Sequence, residues 1–438
     1  MAPNVTRATT SLLTRPLLVR FVSIAGSATS FYLLLSCVPL YARSAGASAS
    51  LAGLATSALT LASVAAYLVA PRLMARYGYR LVLAGGLLAL GLPALALAAS
   101  ANIAVIMIGC VIRGIGFAFT CVAGGTISVA LLPPGRRGEG LALVGFVSGV
   151  PAVATLPLGV WLAAHVGFRP VLLAGGVAAL AGLASVPWLP RSGTVLANQA
   201  AEPADCPDAE PADGPSGLSA HEAANQVADR PIGVVAVVRD PVLLRTAVMF
   251  AATTIAVGII VTFLPMAVPR SAADTAAAAL LIEAATAIGG RWLAGRHGDR
   301  HGAARLLIPG MLLAAAGTLV LALAAAPAMV PAAVPVAALA GAALFGTGFG
   351  MTQNASQTLM YEGVPEPGYG AVSAVWNLAY DGGMGLGAAG FGVLAAGTGY
   401  PGAFALTAVV PLLALAATGR SAGKARTIGG ARTKVRSA

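Results

Sequence analysis

The stretch Arg291-Trp-Leu-Ala-Gly-Arg-His-Gly-Asp-Arg-His-Gly302 interrupts two long apolar runs, in a chain of which only 9% of the residues are charged. Asp299 and Arg300 are too costly to leave in hydrocarbon. The glycines of the stretch permit the close helix approach and the positive φ of a tight turn. The stretch therefore predicts a turn in water between two membrane-spanning helices.

An incomplete copy of this stretch occurs at 67–80. Arg76, Gly78 and Arg80 keep its basic and glycine positions, and the copy lies 224 residues before the complete stretch. Ala75 takes the place of the acidic residue. The two stretches predict that the chain contains an internal repeat.

The pattern Gly-x-x-x-Asp-Arg-x-Gly, between the second and third spans and again between the eighth and ninth, resembles the signature loop of the major facilitator superfamily of secondary transporters. The complete match consists of Arg291, Gly295, Asp299, Arg300 and Gly302. The resemblance implies that both loops take part in gating. It also implies a small-molecule substrate, a proton gradient as the energy source and no bound cofactor.

The composition excludes an ordinary soluble protein, because 58% of the residues are hydrophobic and the mean hydropathy is +0.85. A spanning helix needs about 20 apolar residues. The sequence contains twelve such runs, which predict an all-α polytopic membrane protein with two six-helix repeats around a central cavity. The predicted spans are 21–41, 51–71, 81–99, 103–131, 141–163, 171–190, 246–268, 276–294, 306–326, 330–360, 371–396 and 402–419.

The predicted organisation is an N-terminal half at 1–190, a linker at 191–244, a C-terminal half at 245–419 and a basic cytoplasmic tail at 420–438. The linker prediction rests on seven acidic residues and regularly spaced prolines between 202 and 229, a composition that does not bury enough surface to fold.

The two halves match at a second offset, since Gly114 and Gly167 lie 232 residues before Gly346 and Gly399.

The net charge of +11 follows the predicted loops. Most of the Lys and Arg residues, Arg20 among them, fall in segments on the side of the N-terminus. The positive-inside rule then places both termini in the cytoplasm of a cell membrane. The charge therefore indicates topology and contact with the lipid bilayer, with no nucleic-acid partner, and a monomer is expected.

Arg113 is the most informative charge of the first half, because it lies about ten residues inside the fourth span. An Arg in this helix followed by glycines resembles a superfamily motif associated with proton coupling in exporters. The alternative is an Arg held structurally by a backbone carbonyl. In the fifth span, Pro157 and Gly159 retain part of an antiporter motif.

Glu283 and Asp381 are the two carboxylates expected deep in the membrane. Burial disfavours the ionised form, as a reversible proton carrier requires. Asn377 and Tyr380 share a helix face with Asp381, and Trp376 adjoins them. The alternative is a carboxylate that only neutralises Arg113.

Amide side chains in the tenth span, Gln353, Asn354 and Gln357, complete the candidate substrate-binding set together with Tyr32 in the first span. The alternative for the amides is hydrogen bonding between helices, which is common in bilayers.

Proton-coupled efflux of a hydrophobic drug or secondary metabolite is the function that these residues favour. Uptake of a sugar or small organic solute is the alternative within transport, because the amides could bind hydroxyl groups. A non-transporting receptor or sensor is the alternative of another class. An enzyme is not expected, and the chain lacks the Gly-x-x-x-x-Gly-Lys-Ser/Thr motif of ATP-driven pumps.

Overall fold

The computed structural model describes residues 14–132, 137–190, 234–268, 273–365 and 368–435. These described ranges are helical and contain no strand. The reason is chemical, because a helix satisfies its own backbone hydrogen bonds where no water is present. The α-helices are α1 (Arg15–Leu35), α2 (Cys37–Ser44), α3 (Ala49–Ala99), α4 (Ile103–Ala130), α5 (Arg137–His165), α6 (Phe168–Leu183), α7 (Val234–Arg239), α8 (Pro241–Ala267), α9 (Ala273–His301), α10 (Ala304–Ala324), α11 (Val334–Glu362) and α12 (Tyr369–Val435).

Ten helical stretches among the described residues are long and apolar enough to cross a membrane. Two of them, within α3 and α12, are about twice the usual length, at 51 and 49 residues. Each contains a glycine with non-helical backbone angles, Gly78 with φ 79° and Gly399 with φ 69°. Both long stretches therefore make two crossings each, which agrees with the predicted twelve spans.

The positive-φ glycines repeat along the chain. Gly78 and Gly302 are 224 residues apart, and Gly167 and Gly399 are 232 residues apart. These are the two offsets found in the sequence. Because a side chain strains this backbone conformation, the glycines mark equivalent turns of the two halves.

The described chain divides into two compact units. Unit 1 comprises Met1–Ala47 and Ala58–Glu202, and unit 2 comprises Ser48–Ser57 and Pro203–Ala438. In unit 1, α1 packs against α5 and α6. In unit 2, α11 packs between α9 and α10, while α12 packs on α8 and α10. The first turns of α3 thus belong to unit 2, although the rest of the helix belongs to unit 1.

Glycines allow equivalent helix crossings in both units. A Cβ atom at Gly114 of α4 would overlap the carbonyl oxygen of Leu59 in α3. A Cβ atom at Gly346 of α11 would likewise overlap the carbonyl oxygen of Glu283 in α9. The two contacts are related by the same offsets, and they show why small residues recur where these helices cross.

The end of the predicted linker differs from expectation. Residues 191–233 lie outside the described residues, but 234–244 form α7 and the beginning of α8. Val237 is buried with Leu243 and Met360, which gives this segment the apolar contacts that the acidic part of the linker lacks. Asp240 caps α8 by accepting hydrogen bonds from the next backbone amides. At the other end of the chain, α12 continues through most of the predicted tail, to Val435.

Candidate functional site

Arg113 lies in α4 of unit 1 and is completely buried. Its Nη2 donates a hydrogen bond of 2.9 Å to the carbonyl oxygen of Ser30 in α1. Its Nε and Nη1 have no hydrogen-bond partner among the described residues, and neither has the Ser30 hydroxyl. A backbone carbonyl therefore holds one edge of the guanidinium, as one interpretation of the sequence expected, but leaves the other donors unsatisfied.

Aromatic residues lie next to this contact in the sequence, Phe31 directly after Ser30 and Phe117 one turn after Arg113. Phe31 and Phe117 stack with ring centroids 3.6 Å apart, and Phe31 meets Tyr32 edge-on at 5.2 Å. Cys37 and Cys110 are buried, as expected for cysteines with a packing role. A buried guanidinium with unsatisfied donors carries a large desolvation cost.

Arg20, which the charge pattern assigns to a segment on the cytoplasmic side, is a second buried guanidinium and lies inside α1. The side chain is only 4% exposed. Its Nε donates to the carbonyl oxygen of Gly124 at 3.3 Å, and its Nη1 donates to Ser23 Oγ at 2.5 Å. The missed signal is Pro16, which occupies the first turn of α1. Because the helix begins at Arg15, Arg20 already lies more than one turn inside it.

Arg20 lines a cavity of about 250 Å³ between α1, α4 and α5 in unit 1. Tyr32, one of the predicted site residues, also lines it. The other polar lining residues are Ser27, Thr120, Cys121, Ser128 and Ser148. The predicted site residue Arg113 is buried and is not among the residues that line this cavity.

Among the described side chains of unit 1, no acidic group balances these cations. Residues 1–201 contain a single acidic residue, Glu139, whose side chain lies outside the described part of the chain. The described side chains of unit 1 therefore include two buried guanidinium groups, those of Arg20 and Arg113, and no carboxylate.

Glu283 and Asp381 are both buried in unit 2, with 6% and 4% of their surfaces exposed. Glu283 lies in α9 where that helix crosses α11 at Gly346. Asp381 lies in α12, which packs on α8 and α10. The expected burial of both carboxylates is therefore observed, and the two groups lie on different helices.

An aromatic cluster joins the segment of α12 that contains Asp381 to α8 and α11. The ring of Phe250 in α8 stacks on that of Trp376 at 4.8 Å between centroids. Tyr380 lies 5.8 Å from Trp376 and 6.2 Å from Phe349 of α11. Phe250 and Phe349 are buried, whereas Trp376 and Tyr380 are half-buried. Phe250 and Phe349 therefore contribute to the packing inside unit 2, whereas Trp376 and Tyr380 leave part of their ring surface exposed.

The predicted amides have different surroundings. Asn377 donates from Nδ2 to the carbonyl oxygen of Ser373 at 2.8 Å, within its own helix. Gln353 is buried, and its Oε1 has no hydrogen-bond partner among the described residues. Asn354 lies on the side of α11 that faces Gly295, since a Cβ at that glycine would be 3.9 Å from Asn354 Nδ2.

Gln357 is half-buried. Ser356, which is not among the predicted site residues, accepts a hydrogen bond of 3.3 Å from Trp376 Nε1. The hydroxyl therefore fixes the indole ring against α11.

The two signature loops retain their turns. Gly302 has a φ of 87°, a backbone conformation that favours glycine. A Cβ at Gly298 would lie 3.6 Å from its nearest neighbouring atom, which is an ordinary van der Waals contact. In the first loop Arg76 lies over the ring of Tyr77 at 5.3 Å. Arg80 Nε donates to the carbonyl oxygen of Val186 at 3.2 Å.

In the second loop Arg291 and Arg300 are exposed, and the side chain of Asp299 lies outside the described residues.

Gly159 of the partial antiporter motif has a packing role. A Cβ at this position of α5 would overlap the carbonyl oxygen of Leu33 in α1. Pro157 lies inside the same helix. This close crossing brings α5 against α1 beside Tyr32, which lines the cavity of unit 1.

The sequence profile of the Major Facilitator Superfamily matches residues 20–388. The chain belongs to the major facilitator superfamily. The match includes the signature loops and both pairs of buried charged residues described above. A comparison with curated protein sequences gives no match.

Solved transporter structures have the same fold. The nucleoside transporter NupG is 14% identical with a TM-score of 0.66, over 92% of this chain and 99% of that one. The inward-open xylose transporter XylE from E. coli is 16% identical with a TM-score of 0.67, over 91% and 95% of the two chains. A D-xylose-proton symporter is 15% identical with a TM-score of 0.65, over 90% and 96%. These similarities concern the fold; membership of the superfamily, together with the long apolar helices, makes this chain a multi-pass transporter rather than an enzyme.

Proposed function

We propose that this superfamily member exports a hydrophobic small molecule in exchange for protons, by alternating access. The observation that carries the proposal is the buried Asp381 in a segment of α12 that also carries the half-buried rings of Trp376 and Tyr380. A buried carboxylate is costly in its ionised form, so it favours uptake of a proton. The half-buried rings provide a surface for an apolar compound.

Orientation and assembly belong to the same proposal. Both termini lie in the cytoplasm, the protein acts as a monomer in the cell membrane, and the proton gradient supplies the energy. The loops at 67–80 and 291–302 gate the cytoplasmic side.

Proton-coupled uptake of a hydroxylated solute is the second candidate. It is favoured by Gln353, whose buried Oε1 has no hydrogen-bond partner among the described residues and could accept one from a hydroxyl group. The similar structures named for nucleoside and xylose transport support the fold alone, because their sequence identity is low.

Proteoliposomes with an imposed pH gradient test the proposal. Candidate compounds come from a susceptibility profile of a host with and without this gene. We expect a proton gradient to drive these compounds opposite to the proton flow. Asp381→Asn should abolish gradient-driven transport, whereas Asp274→Asn, which changes an exposed acid in the first turn of α9, should preserve it.

Two results would argue against export, and a third would argue against the role of Asp381. Accumulation with the proton flow would support uptake. Binding without movement across the membrane would support a receptor. Unchanged proton coupling in Asp381→Asn would remove this carboxylate from the mechanism.

A further inference from the structure

The cavity of unit 1 has one charged lining residue, Arg20, among its described side chains. We propose that this cavity binds the oxyanion group, a carboxylate or a phosphate, of the transported compound. The inference rests on the proposed transport function and narrows its substrate class to organic anions.

The charge balance of unit 1 is the first argument. Arg20 and Arg113 are buried, and the described side chains of this unit include no carboxylate that could pair with either. A buried charge without a counterion is strongly disfavoured. A bound anion would therefore recover part of the cost of burying Arg20.

The fixed position of Arg20 is the second argument. The carbonyl oxygen of Gly124 accepts from Nε, and Ser23 Oγ accepts from Nη1. A Cβ at Gly124 would overlap the guanidinium, so only glycine leaves room for this arrangement. Both partners are neutral, and they orient the side chain without neutralising it. A guanidinium held in this way is suited to oxyanion recognition.

The hydroxyl groups of the lining give the third argument. Ser27, Thr120, Ser128 and Ser148 each donate to a backbone carbonyl of their own helix. Their protons are thus already used, and Arg20 is the strongest donor that the described lining offers. The cavity should therefore distinguish between ligands mainly by the charge that they carry.

The size of the cavity limits what enters. A volume of about 250 Å³ corresponds to about eight water molecules at roughly 30 Å³ each. This space accommodates an acidic group with one ring attached. A larger compound would place only its acidic end here.

Cys121 offers a direct measurement, because it lines the same cavity and is exposed. Cys37 and Cys110 are buried, and Cys206→Ser removes the remaining thiol, which lies outside the described residues. In this variant, purified in detergent, we would measure the reaction rates of the thiol with sulfonatoethyl and trimethylammonioethyl methanethiosulfonate. Each rate would be divided by that of 2-mercaptoethanol.

We expect Cys121 to react about tenfold faster with the anionic reagent than with the cationic one, after this normalisation. A full positive charge a few ångström from a partly buried thiol produces a preference of about this size. Arg20→Gln should abolish the preference, and Arg20→Lys should retain most of it. Arg43→Gln is the matched control, because Arg43 also donates to a backbone carbonyl in unit 1 but does not line this cavity.

Small competitors then identify the ligand chemistry. Millimolar benzoate or phenyl phosphate should slow the labelling of Cys121 at least about threefold, and the more effective of the two distinguishes a carboxylate from a phosphate. Benzylamine and benzyl alcohol, matched in size, should have no effect.

Equal rates for both reagents would overturn the proposal, and so would a preference that survives Arg20→Gln or protection by neither anion. If Arg20→Gln does not fold, the charge preference and the protection are still measured with Arg20 intact. The labelling needs no proton gradient. It can therefore fail while proton-driven transport succeeds, or succeed while transport fails.

Discussion

Two neighbouring glycines of α9 allow a controlled test of helix packing in unit 2. A Cβ at Gly290 would overlap the carbonyl oxygen of Thr347 in α11 and lie 3.1 Å from its carbonyl carbon, whereas a Cβ at Gly289 would meet nothing within 4 Å. We expect Gly290→Ala to destabilise the protein and Gly289→Ala to be neutral or stabilising.

The expected difference in stability between the two variants follows from two contributions. Alanine is favoured over glycine in a helix by about 1 kcal/mol, and this gain is common to both variants. Overpacking at Gly290 costs about 1–3 kcal/mol, because backbone cannot move aside as a side chain does. The two variants should therefore differ by about 2 kcal/mol. This corresponds to a difference of about 6 °C in melting temperature for a unit of this size.

Thermal unfolding in detergent, followed by tryptophan fluorescence and by size exclusion after heating, measures this difference. Trp292 and Trp376 both belong to unit 2 and report on it. Transport should also fall in Gly290→Ala, because α9 carries Glu283 two turns earlier. Equal melting temperatures, or a lower one for Gly289→Ala, would refute the argument that this close crossing stabilises unit 2.

Three further predictions concern the loops and the amides. Asp299→Asn should lower transport in proteoliposomes more than any substitution at Ala75, because the first loop lacks an acid; equal losses would contradict this asymmetry. Gly302→Ala should cost about 1–2 kcal/mol through its positive φ, and Gly298→Ala should be tolerated, as thermal unfolding would show. Gln353→Met should raise the melting temperature by removing an unsatisfied buried acceptor. If uptake is the function, the same change should weaken transport of hydroxylated solutes, and unchanged uptake would exclude the amide from binding.

The sequence alone determined the membrane class, the twelve crossings and the repeat. These features depend on properties that act locally along the chain. Apolar length determines a span, and charge that cannot remain in hydrocarbon determines a turn. Gly78 and Gly302 could be paired from their offset alone, because a positive φ requires glycine whatever surrounds it.

Only the tertiary structure decided which polar groups are buried and what they contact. Arg20 lies near a span boundary, where hydropathy gives no distinction between a side chain in water and one in the protein interior. Its burial depends on a carbonyl in α4, about a hundred residues away. Asn354 and Gln353 are adjacent in sequence, yet one faces α9 and the other has an unsatisfied buried oxygen. Such differences depend on which helix packs against each face. The pattern of polar residues along the sequence does not show this packing.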